Sequence, residues 1–232
     1  IHNQIRECLQ MVKEEKFEEA WQKLIETNPL PAILGVICPC PCEKDCLRGE
    51  FDNTLEISAV ERMLGYMALK KRWQPKVREL ISRLHLRHSI AIIGAGPTGL
   101  AAAYQLRRLG YWVEIFEAEK RPGGMLSYCI PAYRLSKNIL REEIKNNILS
   151  LMGIKISLGV KVDHSLCVDL LKRFDVVLMA VGSQRSRKLY IKGEDGNLQV
   201  VSGLEFLRKI NLGEKPDIGE IVAVVGGGNT AI

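Results

Sequence analysis

Apolar residues recur at two different spacings along the chain, and the spacing changes near Ser89. Before that point they fall three or four positions apart, which predicts amphipathic helices at 4–14, 17–26, 56–70 and 75–86. The sequence NPLP at 28–31 ends the second helix because proline cannot continue it. A cysteine-rich loop is expected at 34–53, so the first third predicts an all-helical unit.

From Ser89 onward, short apolar runs alternate with helical patterns. Buried strands are predicted at 89–94, 111–117, 175–182 and 220–225, with a strand or hairpin at 154–162. Helices are predicted at 97–110, closed by Gly110, at 136–153, capped by Ser136 and ended by Gly153, and at 164–174. Strands that alternate with helices favour an α/β fold with a parallel sheet, so a domain boundary is expected near 85–89.

Composition excludes several classes of protein. Of the 232 residues, 47% are apolar and 26% charged, which is ordinary for a globular protein. No apolar run approaches the ~18 residues of a membrane span, and the polar first residues carry no secretory signal. The formal charge of +6 is scattered without interleaved aromatic residues, so nucleic-acid binding is not expected. A cytoplasmic protein without a membrane span is predicted.

A phrase of the form G-x-G-x-x-G follows the first strand of this region and opens the next helix. Its members are Gly94, Gly96, Pro97, Thr98 and Gly99. The first glycine permits a tight turn, the second lets a pyrophosphate approach the backbone, and the third lets helix and strand pack closely. Glu117, at the end of the second strand, can accept hydrogen bonds from ribose hydroxyls. The pattern predicts a bound dinucleotide, and the alternative is a packing turn without a ligand.

A second phrase, of the form G-x-G-x-x-A, follows the apolar run at 220–225. Its candidate contacts are Gly226, Gly228, Asn229 and Thr230. Two such phrases indicate two dinucleotides, for instance a nicotinamide that delivers a hydride and a flavin that releases electrons singly. The alternative is a buried, glycine-rich strand end. It stays open because the sequence lacks the helix and the acid that should follow a nucleotide-binding phrase.

Four cysteines fall within nine residues, at Cys38, Cys40, Cys42 and Cys46. Thiolates are soft ligands that suit iron–sulfur clusters or zinc. Their compact spacing does not match the paired C-x₂₋₄-C motifs typical of zinc, and so favours a [4Fe–4S] cluster. Zinc and redox-active thiols remain as alternatives. Without a sign of secretion, the cysteines indicate a reducing compartment rather than a disulfide framework.

Taken together, six stretches resemble one known family. They read FEEAWQKLIETNPLP, CPCPCEKDC, IIGAGPTGLAAAYQLRRLGYWVEIFEAEKRPGGML, IPAYRL, AVGSQRSRKLYIKGED and VVGGGNTA. The family comprises FAD- and NAD(P)H-dependent iron–sulfur oxidoreductases similar to the glutamate synthase small (β) subunit, and includes the N-terminal part of dihydropyrimidine dehydrogenase. The resemblance covers nearly the whole chain. It implies a helical Fe–S domain at 1–86, an incomplete Rossmann-like FAD domain at 87–218, and a truncated NAD(P)H-binding domain at 219–232.

The resemblance also implies roles for single residues. The first glycine phrase and Glu117 would contact the FAD pyrophosphate and ribose, and the second phrase would begin the NADPH domain. Further FAD-domain positions are Gly124, Leu126 and Arg134 beside the flavin, Val162 at the adenine, and Gly182 at a strand end.

For the clusters, the resemblance assigns Cys38 and Cys42 to one [4Fe–4S] centre and Cys46 to another. Glu61 would complete the first, although Ser58 to Glu61 also fits a helix capping box. Cys40 is an additional candidate, and Leu34 stands where the family often has cysteine. The family's remaining ligands precede the position of Ile1, so the chain by itself supplies too few for two clusters.

The expected function is electron transfer from NADPH or NADH through FAD to [4Fe–4S] clusters and on to an electron-accepting redox subunit, such as a glutamate synthase large subunit. No general acid or base is assigned, because hydride transfer between stacked rings depends on positioning. One alternative is a flavin disulfide reductase, although Cys129 and Cys167 are isolated in sequence. Another is a non-catalytic FAD-binding assembly module. The chain is expected to be a fragment of the whole enzyme.

Overall fold

The computed structural model describes residues 4–76, 88–151, 153–183 and 200–231, together with 186, 188, 190 and 192–194. Most of the helix predicted at 75–86 lies outside the described residues. The helices are α1 (Ile5–Lys13), α2 (Phe17–Leu24), α3 (Pro31–Ile37), α4 (Pro41–Lys44), α5 (Ile57–Lys71), α6 (Pro97–Arg108), α7 (Met125–Tyr128), α8 (Lys137–Ile144), α9 (His164–Arg173) and α10 (Gly203–Leu212). The strands are β1 (Ser89–Ile93), β2 (Trp112–Glu117), β3 (Ile154–Leu158) and β4 (Val176–Met179).

The N-terminal region is helical, as its apolar spacing predicts. The prediction of a loop at 34–53 is wrong in part. Helix α3 extends to Ile37, α4 follows, and a 3₁₀ turn spans Leu47–Glu50. Pro31 and Pro41 each stand at the start of a helix. Proline is favoured there because its fixed φ suits a helix and its missing N–H would have had no partner. The same residue type that ends one helix therefore starts the next.

Helices α3 and α5 pack with their backbones in close contact. A Cβ added to Gly65 of α5 would lie 2.4 Å from the backbone nitrogen of Ala32 in α3. A Cβ added to Gly35 would lie 2.5 Å from the backbone nitrogen of Arg62 in α5. Both obstacles are backbone atoms, so the two helices would have to separate to accept any side chain at these positions.

We expect Gly65→Ala to lower the free energy of unfolding by about 2 kcal/mol, the cost of overpacking a well-packed contact. Chemical denaturation of the full-length protein measures this change. Lys70→Ala is the matched control, because Lys70 is exposed on the same helix and its loss should change stability by less than about 0.5 kcal/mol. Equal stability of the two variants would contradict the close contact.

The strands form one parallel sheet in the order β3-β2-β1-β4, which confirms the predicted parallel α/β arrangement. A strand forms within 175–182, as predicted, but the prediction that it is buried is wrong. β4 is an edge strand that pairs only with β1 among the described strands, and Met179 is 67% exposed. The segment 154–162 contributes the single strand β3 rather than a hairpin.

The buried strand predicted at 220–225 does not form in the structure. These residues have no strand assignment, and Ile221 is 96% exposed. An apolar run needs neighbouring strands to pair its backbone groups, and the described residues provide none beside it. Apolar character alone therefore misled the prediction of burial.

The helix predicted at 136–153 is shorter and less regular than expected. It forms α8 and then a π-helical segment, Lys145–Leu149. Ser136 occupies the N-cap position, but its side chain accepts no capping hydrogen bond, so that prediction is wrong. Gly110, with a φ of +100°, follows α6 as predicted.

Helix α8 joins the helical region to the sheet region. The carboxyl group of Glu143 accepts hydrogen bonds from the backbone N–H groups of Ala32 (2.7 Å) and Ile33 (2.8 Å) at the start of α3. One turn later, the side-chain amide of Asn147 donates to the backbone oxygen of Pro29 at 2.8 Å. Glu143 is completely buried. A continuous core of buried apolar residues also runs through both regions, so helices α1, α2, α3 and α5 are packed with the glycine loop's domain in one core.

Candidate functional site

The first glycine phrase forms a tight turn between β1 and α6, as predicted. Gly94 has a φ of +109°, a left-handed conformation that favours glycine, and its N–H donates to the backbone oxygen of Phe116 at 2.8 Å. A Cβ on Gly99 would lie 1.9 Å from the backbone oxygen of Gly94. Both glycines are therefore required by the turn itself, whether or not a ligand binds.

Gly96 is different, because none of the described residues requires glycine there. Its φ of −73° and ψ of −178° suit any residue, and an added Cβ would meet no atom of the described part of the chain within 4 Å. The open space lies at the N-terminus of α6, where Pro97 and Thr98 are exposed and the first N–H groups of a helix are unpaired. A helix N-terminus with this geometry attracts phosphate, so the loop fits the pyrophosphate of a dinucleotide.

Glu117 ends β2 beside this loop and is 8% exposed. Its Oε2 accepts a hydrogen bond from the N–H of Ala95 (2.6 Å), and its Oε1 accepts one from the N–H of Glu119 (2.8 Å). A carboxylate has about four lone-pair sites, so two remain for the hydroxyl groups of a ribose. The Glu117 carboxylate is thus held against the glycine loop, at the end of the second strand, as the sequence predicts.

The other predicted FAD-domain positions lie in different environments. Gly124 precedes α7, and a Cβ there would lie 2.8 Å from the Cα of Gly96, so this turn lies against the glycine loop. Leu126 is buried in α7, whereas Arg134 is exposed. Val162 packs beside a small core cluster under the sheet. Gly182 follows β4 by three residues instead of ending it.

The second glycine phrase forms a turn and not a strand–helix junction. Gly226 has a φ of +121°, and no atom lies within 4 Å of a Cβ added at Gly226 or Gly228. The N–H of Ala231 donates to the backbone oxygen of Gly228 at 2.8 Å, and Asn229 and Thr230 lie within this turn. The described residues here therefore hold no preformed phosphate site.

Three of the clustered cysteines lie close together around the start of α4. The backbone N–H of Cys40 donates to the Cys38 sulfur at 3.4 Å, and the Cys40 thiol donates to the Cys38 backbone oxygen at 3.2 Å. Burial raises the pKa of the Cys42 thiol, and the nearby charge of Cys38 adds to that rise. The donor chemistry suits iron, although within the described residues no three His, Cys, Asp or Glu side chains are arranged to hold a metal ion.

Cys46 lies in a different electrostatic environment. Hydrogen bonds from the backbone of Leu55 and then of Arg48 lower the pKa of its thiol. These bonds stabilise the thiolate, which is the form that binds metal. All seven cysteines of the chain are free thiols, so none of the candidate ligands is engaged in a disulfide.

Glu61 is buried in α5, 8% exposed, and lies near Cys8 of α1. Burial, reinforced by the Glu61 charge, raises the pKa of the Cys8 thiol to about 11. The alternative capping box does not form, because α5 begins at Ile57 and Ser58 lies inside the helix. The N–H of Ser58 instead donates to the carboxylate of Glu43 in α4 at 2.7 Å, which ties the cysteine segment to α5.

One group of polar contacts near the glycine loop has no counterpart in the sequence patterns. Arg208 of α10 contacts Glu119 and the ring of Tyr128, and Asn211 donates to the backbone oxygen of Tyr128. Arg208 and Glu119 are 89 positions apart. No local spacing could have indicated the pair, and only an alignment that showed the two positions varying together could have found it.

The turn, the adjacent carboxylate and the parallel sheet define a dinucleotide-binding α/β protein joined to a cysteine-bearing helical region. The model of the pyridine nucleotide-disulphide oxidoreductase family matches residues 88–232, and the chain belongs to that family. A second family, described as dihydropyrimidine dehydrogenase domain II, 4Fe-4S cluster, matches residues 1–73. These two matches imply FAD, NAD(P)H and a [4Fe–4S] cluster as cofactors.

Several curated proteins are similar over the whole chain. An NADP(+)-dependent formate dehydrogenase subunit beta of Moorella thermoacetica is 36% identical, across 100% of this chain and 35% of its own length. An NADPH-Fe(3+) oxidoreductase subunit beta of Geobacter sulfurreducens is 34% identical, across 100% of this chain and 34% of its own length. The glutamate synthase [NADPH] small chain of Bacillus subtilis is 34% identical, across 99% of this chain and 48% of its own length. The chain therefore spans about a third to a half of these relatives.

The relatives confirm the resemblance to the glutamate synthase small chain that the sequence motifs indicate. Relatives named as beta subunits belong to proteins of more than one subunit. None of the described helices combines the length and the apolar character that a membrane span requires.

Proposed function

We propose that this chain is the flavin- and cluster-bearing part of an NAD(P)H-dependent oxidoreductase similar to the glutamate synthase small chain. Electrons would pass from NADPH or NADH through FAD to [4Fe–4S] clusters, and then to an electron-accepting redox subunit or domain. The observation that carries the proposal is the open space at Gly96, with the Glu117 carboxylate held against the same loop. Both family matches and the oxidoreductase names of the relatives support it.

In this proposal each side of the FAD site has a distinct role. The backbone at Gly96 and the N-terminus of α6 would bind the pyrophosphate, and Glu117 would accept hydrogen bonds from the ribose. The turn at Gly124, which lies against Gly96, and Leu126, which is buried in α7, would border the flavin. FAD, when bound, supplies the chemistry that accepts a hydride and releases single electrons. The chain's contribution is positioning, and no proton transfer is assigned to any side chain.

The cluster ligands in this proposal are thiolates of the segment around α4. Cys38, Cys42 and Glu61 would serve one [4Fe–4S] centre, Cys46 would serve another, and Cys40 is an additional candidate. Further ligands would come from residues outside 1–232, which is in keeping with the greater length of the relatives. Thiolate ligands are maintained in a reducing compartment, so we place the protein in the cytoplasm.

We expect Cys42→Ser in the full-length protein to lose the iron of one [4Fe–4S] cluster while it retains FAD. Serine cannot supply the soft thiolate, whereas the FAD loop lies on a different element and is untouched. Iron analysis and flavin absorbance of the purified protein measure both quantities. Cys167→Ser is the control, since Cys167 lies in α9 and should leave the iron content unchanged.

Two results would argue against the proposal. Wild-type iron content in Cys42→Ser would remove this thiol from the cluster site. A wild-type protein purified without flavin, and unable to bind added FAD, would overturn the assignment as a whole.

A further inference from the structure

Helix α10 lies against the two segments that border the first glycine loop. The guanidinium of Arg208 donates to Oε1 of Glu119 at 2.5 Å and stacks over the Tyr128 ring, 4.8 Å from its centroid. One turn later, the side-chain amide of Asn211 donates to the backbone oxygen of Tyr128 at 3.1 Å. The Arg208 and Glu119 side chains are 37% and 33% exposed, so the pair is partly shielded from water. Such charge-assisted bonds are stronger than those between neutral groups.

Behind Glu119, a chain of hydrogen bonds leads to the glycine loop. The backbone N–H of Glu119 donates to Oε1 of Glu117 at 2.8 Å, and Oε2 of Glu117 accepts from the N–H of Ala95 at 2.6 Å. The backbone oxygen of Glu119 accepts from the N–H of Gly159 at 3.0 Å, just after β3. A shift of the Glu119 backbone therefore moves the donor that orients the Glu117 carboxylate.

Behind Tyr128, helix α7 leads to the same loop from the other side. The N–H of Tyr128 donates to the backbone oxygen of Gly124 at 3.1 Å, and the N–H of Gly123 donates to the backbone oxygen of Ala95 at 2.7 Å. The ring of Tyr128 is buried, 5% exposed. Arg208 thus contacts both of the segments that carry the expected FAD contacts.

We propose that Arg208 is a positioning residue for the flavin site, acting through Glu119 on the Glu117 carboxylate and through Tyr128 on the turn at Gly124. The inference rests on the proposed FAD site and adds a residue to it.

The neighbouring residue provides the matched control. Lys209 on the same helix forms an ion pair with Glu205 at 2.9 Å, with side chains 41% and 57% exposed, and that pair stays within α10. Lys209→Met removes the same charge from the same helix without touching Glu119 or Tyr128. A loss of net charge or of helix stability alone would therefore affect Lys209→Met and Arg208→Met equally.

The test measures FAD affinity of the full-length apoprotein by flavin fluorescence, together with the visible circular dichroism of bound flavin. We expect Arg208→Met to weaken FAD binding roughly tenfold and to alter the flavin dichroism, because the groups around the cofactor shift. Lys209→Met should match the wild type in both. Arg208→Lys, which keeps the charge for Glu119, should restore much of the affinity.

Glu119→Gln provides a second variant in case Arg208→Met fails to fold, since it weakens the same ion pair with a side chain of equal size. It should also weaken FAD binding, and combining it with Arg208→Met should cost less than the sum of the two. Wild-type affinity and dichroism in both Arg208→Met and Glu119→Gln would overturn the inference. A wild-type protein that binds no FAD would instead overturn the proposed function, so the two failures are distinguishable.

Discussion

Replacing Gly96 by alanine is expected to weaken FAD binding by about 100-fold or more while leaving the apoprotein folded and stable. The methyl group would occupy the space that the pyrophosphate needs, yet it would meet no protein atom within 4 Å. The backbone at Gly96 is extended, so alanine introduces no strain. Titration of the apoprotein with FAD measures the affinity. The free energy of unfolding of the apoprotein, measured by thermal denaturation, should change by less than about 0.5 kcal/mol.

Two other glycines make this prediction specific. Gly227→Ala also introduces a methyl group into open space, but in the second glycine phrase, and should leave FAD affinity unchanged. Gly99→Ala would place its methyl group against the Gly94 backbone oxygen and should destabilise the fold itself. Wild-type FAD affinity in Gly96→Ala would contradict the assignment of the open space to the pyrophosphate.

Replacing Glu143 by leucine is expected to lower the free energy of unfolding by about 3 kcal/mol. The buried carboxyl group accepts hydrogen bonds from the N–H groups of Ala32 and Ile33, and leucine would leave both donors buried without a partner. Hydrogen exchange at these two amides should accelerate more than exchange in the sheet, because the loss is local to the start of α3. Chemical denaturation of the full-length protein gives the total change.

The adjacent acid is the control for this substitution. Glu142→Gln alters an exposed side chain that pairs with Arg141 at 3.5 Å, and it should change stability by less than about 0.5 kcal/mol. If Glu143→Leu is as stable as Glu142→Gln, with unchanged exchange at Ala32 and Ile33, then the buried carboxyl group does not hold the two regions together.

Glu143 should also make stability depend on pH in a defined direction. Burial raises the pKa of its carboxyl from 4.5 to about 8, against the opposing effect of the two N–H donors. The folded protein then retains a proton that the unfolded chain has released. The group's contribution is therefore full below pH 4.5 and is lost as the pH rises towards 8. As the pH rises from about 5 to about 9, the wild type should therefore lose stability relative to Glu143→Gln.

The sequence predicted best those features that depend on neighbours in the chain. The glycine turn, its helix and the acid at the end of β2 follow from local spacing, and the structure places them together. Pro31 and Pro41 show the limit of that reasoning. Proline disfavours a helix interior and favours a helix start. One helix therefore begins at Pro31, just before the loop predicted at 34–53, and another begins at Pro41 inside it.

Features that depend on distant residues could not be predicted in this way. Glu143 and Ala32 are 111 positions apart, and Arg208 and Glu119 are 89 apart, so neither contact leaves a periodic signal. The burial of β4 and of 220–225 was predicted from apolar character alone. It is incomplete at β4 and absent at 220–225, because burial also requires a neighbour on the other side. The positions of the candidate cluster ligands also depend on contacts between distant residues. Glu61 of α5, for example, lies near Cys8 of α1.

The central claim is that electrons pass from a nicotinamide dinucleotide through FAD at the first glycine loop to iron–sulfur clusters held by the helical region. Anaerobic addition of NADPH, and separately of NADH, to the full-length protein tests it, with flavin absorbance and electron paramagnetic resonance recorded together. The account predicts that at least one of the two bleaches the flavin and produces the signal of a reduced [4Fe–4S] cluster. Bleached flavin without a cluster signal in iron-loaded protein, or no bound flavin at all, would contradict it.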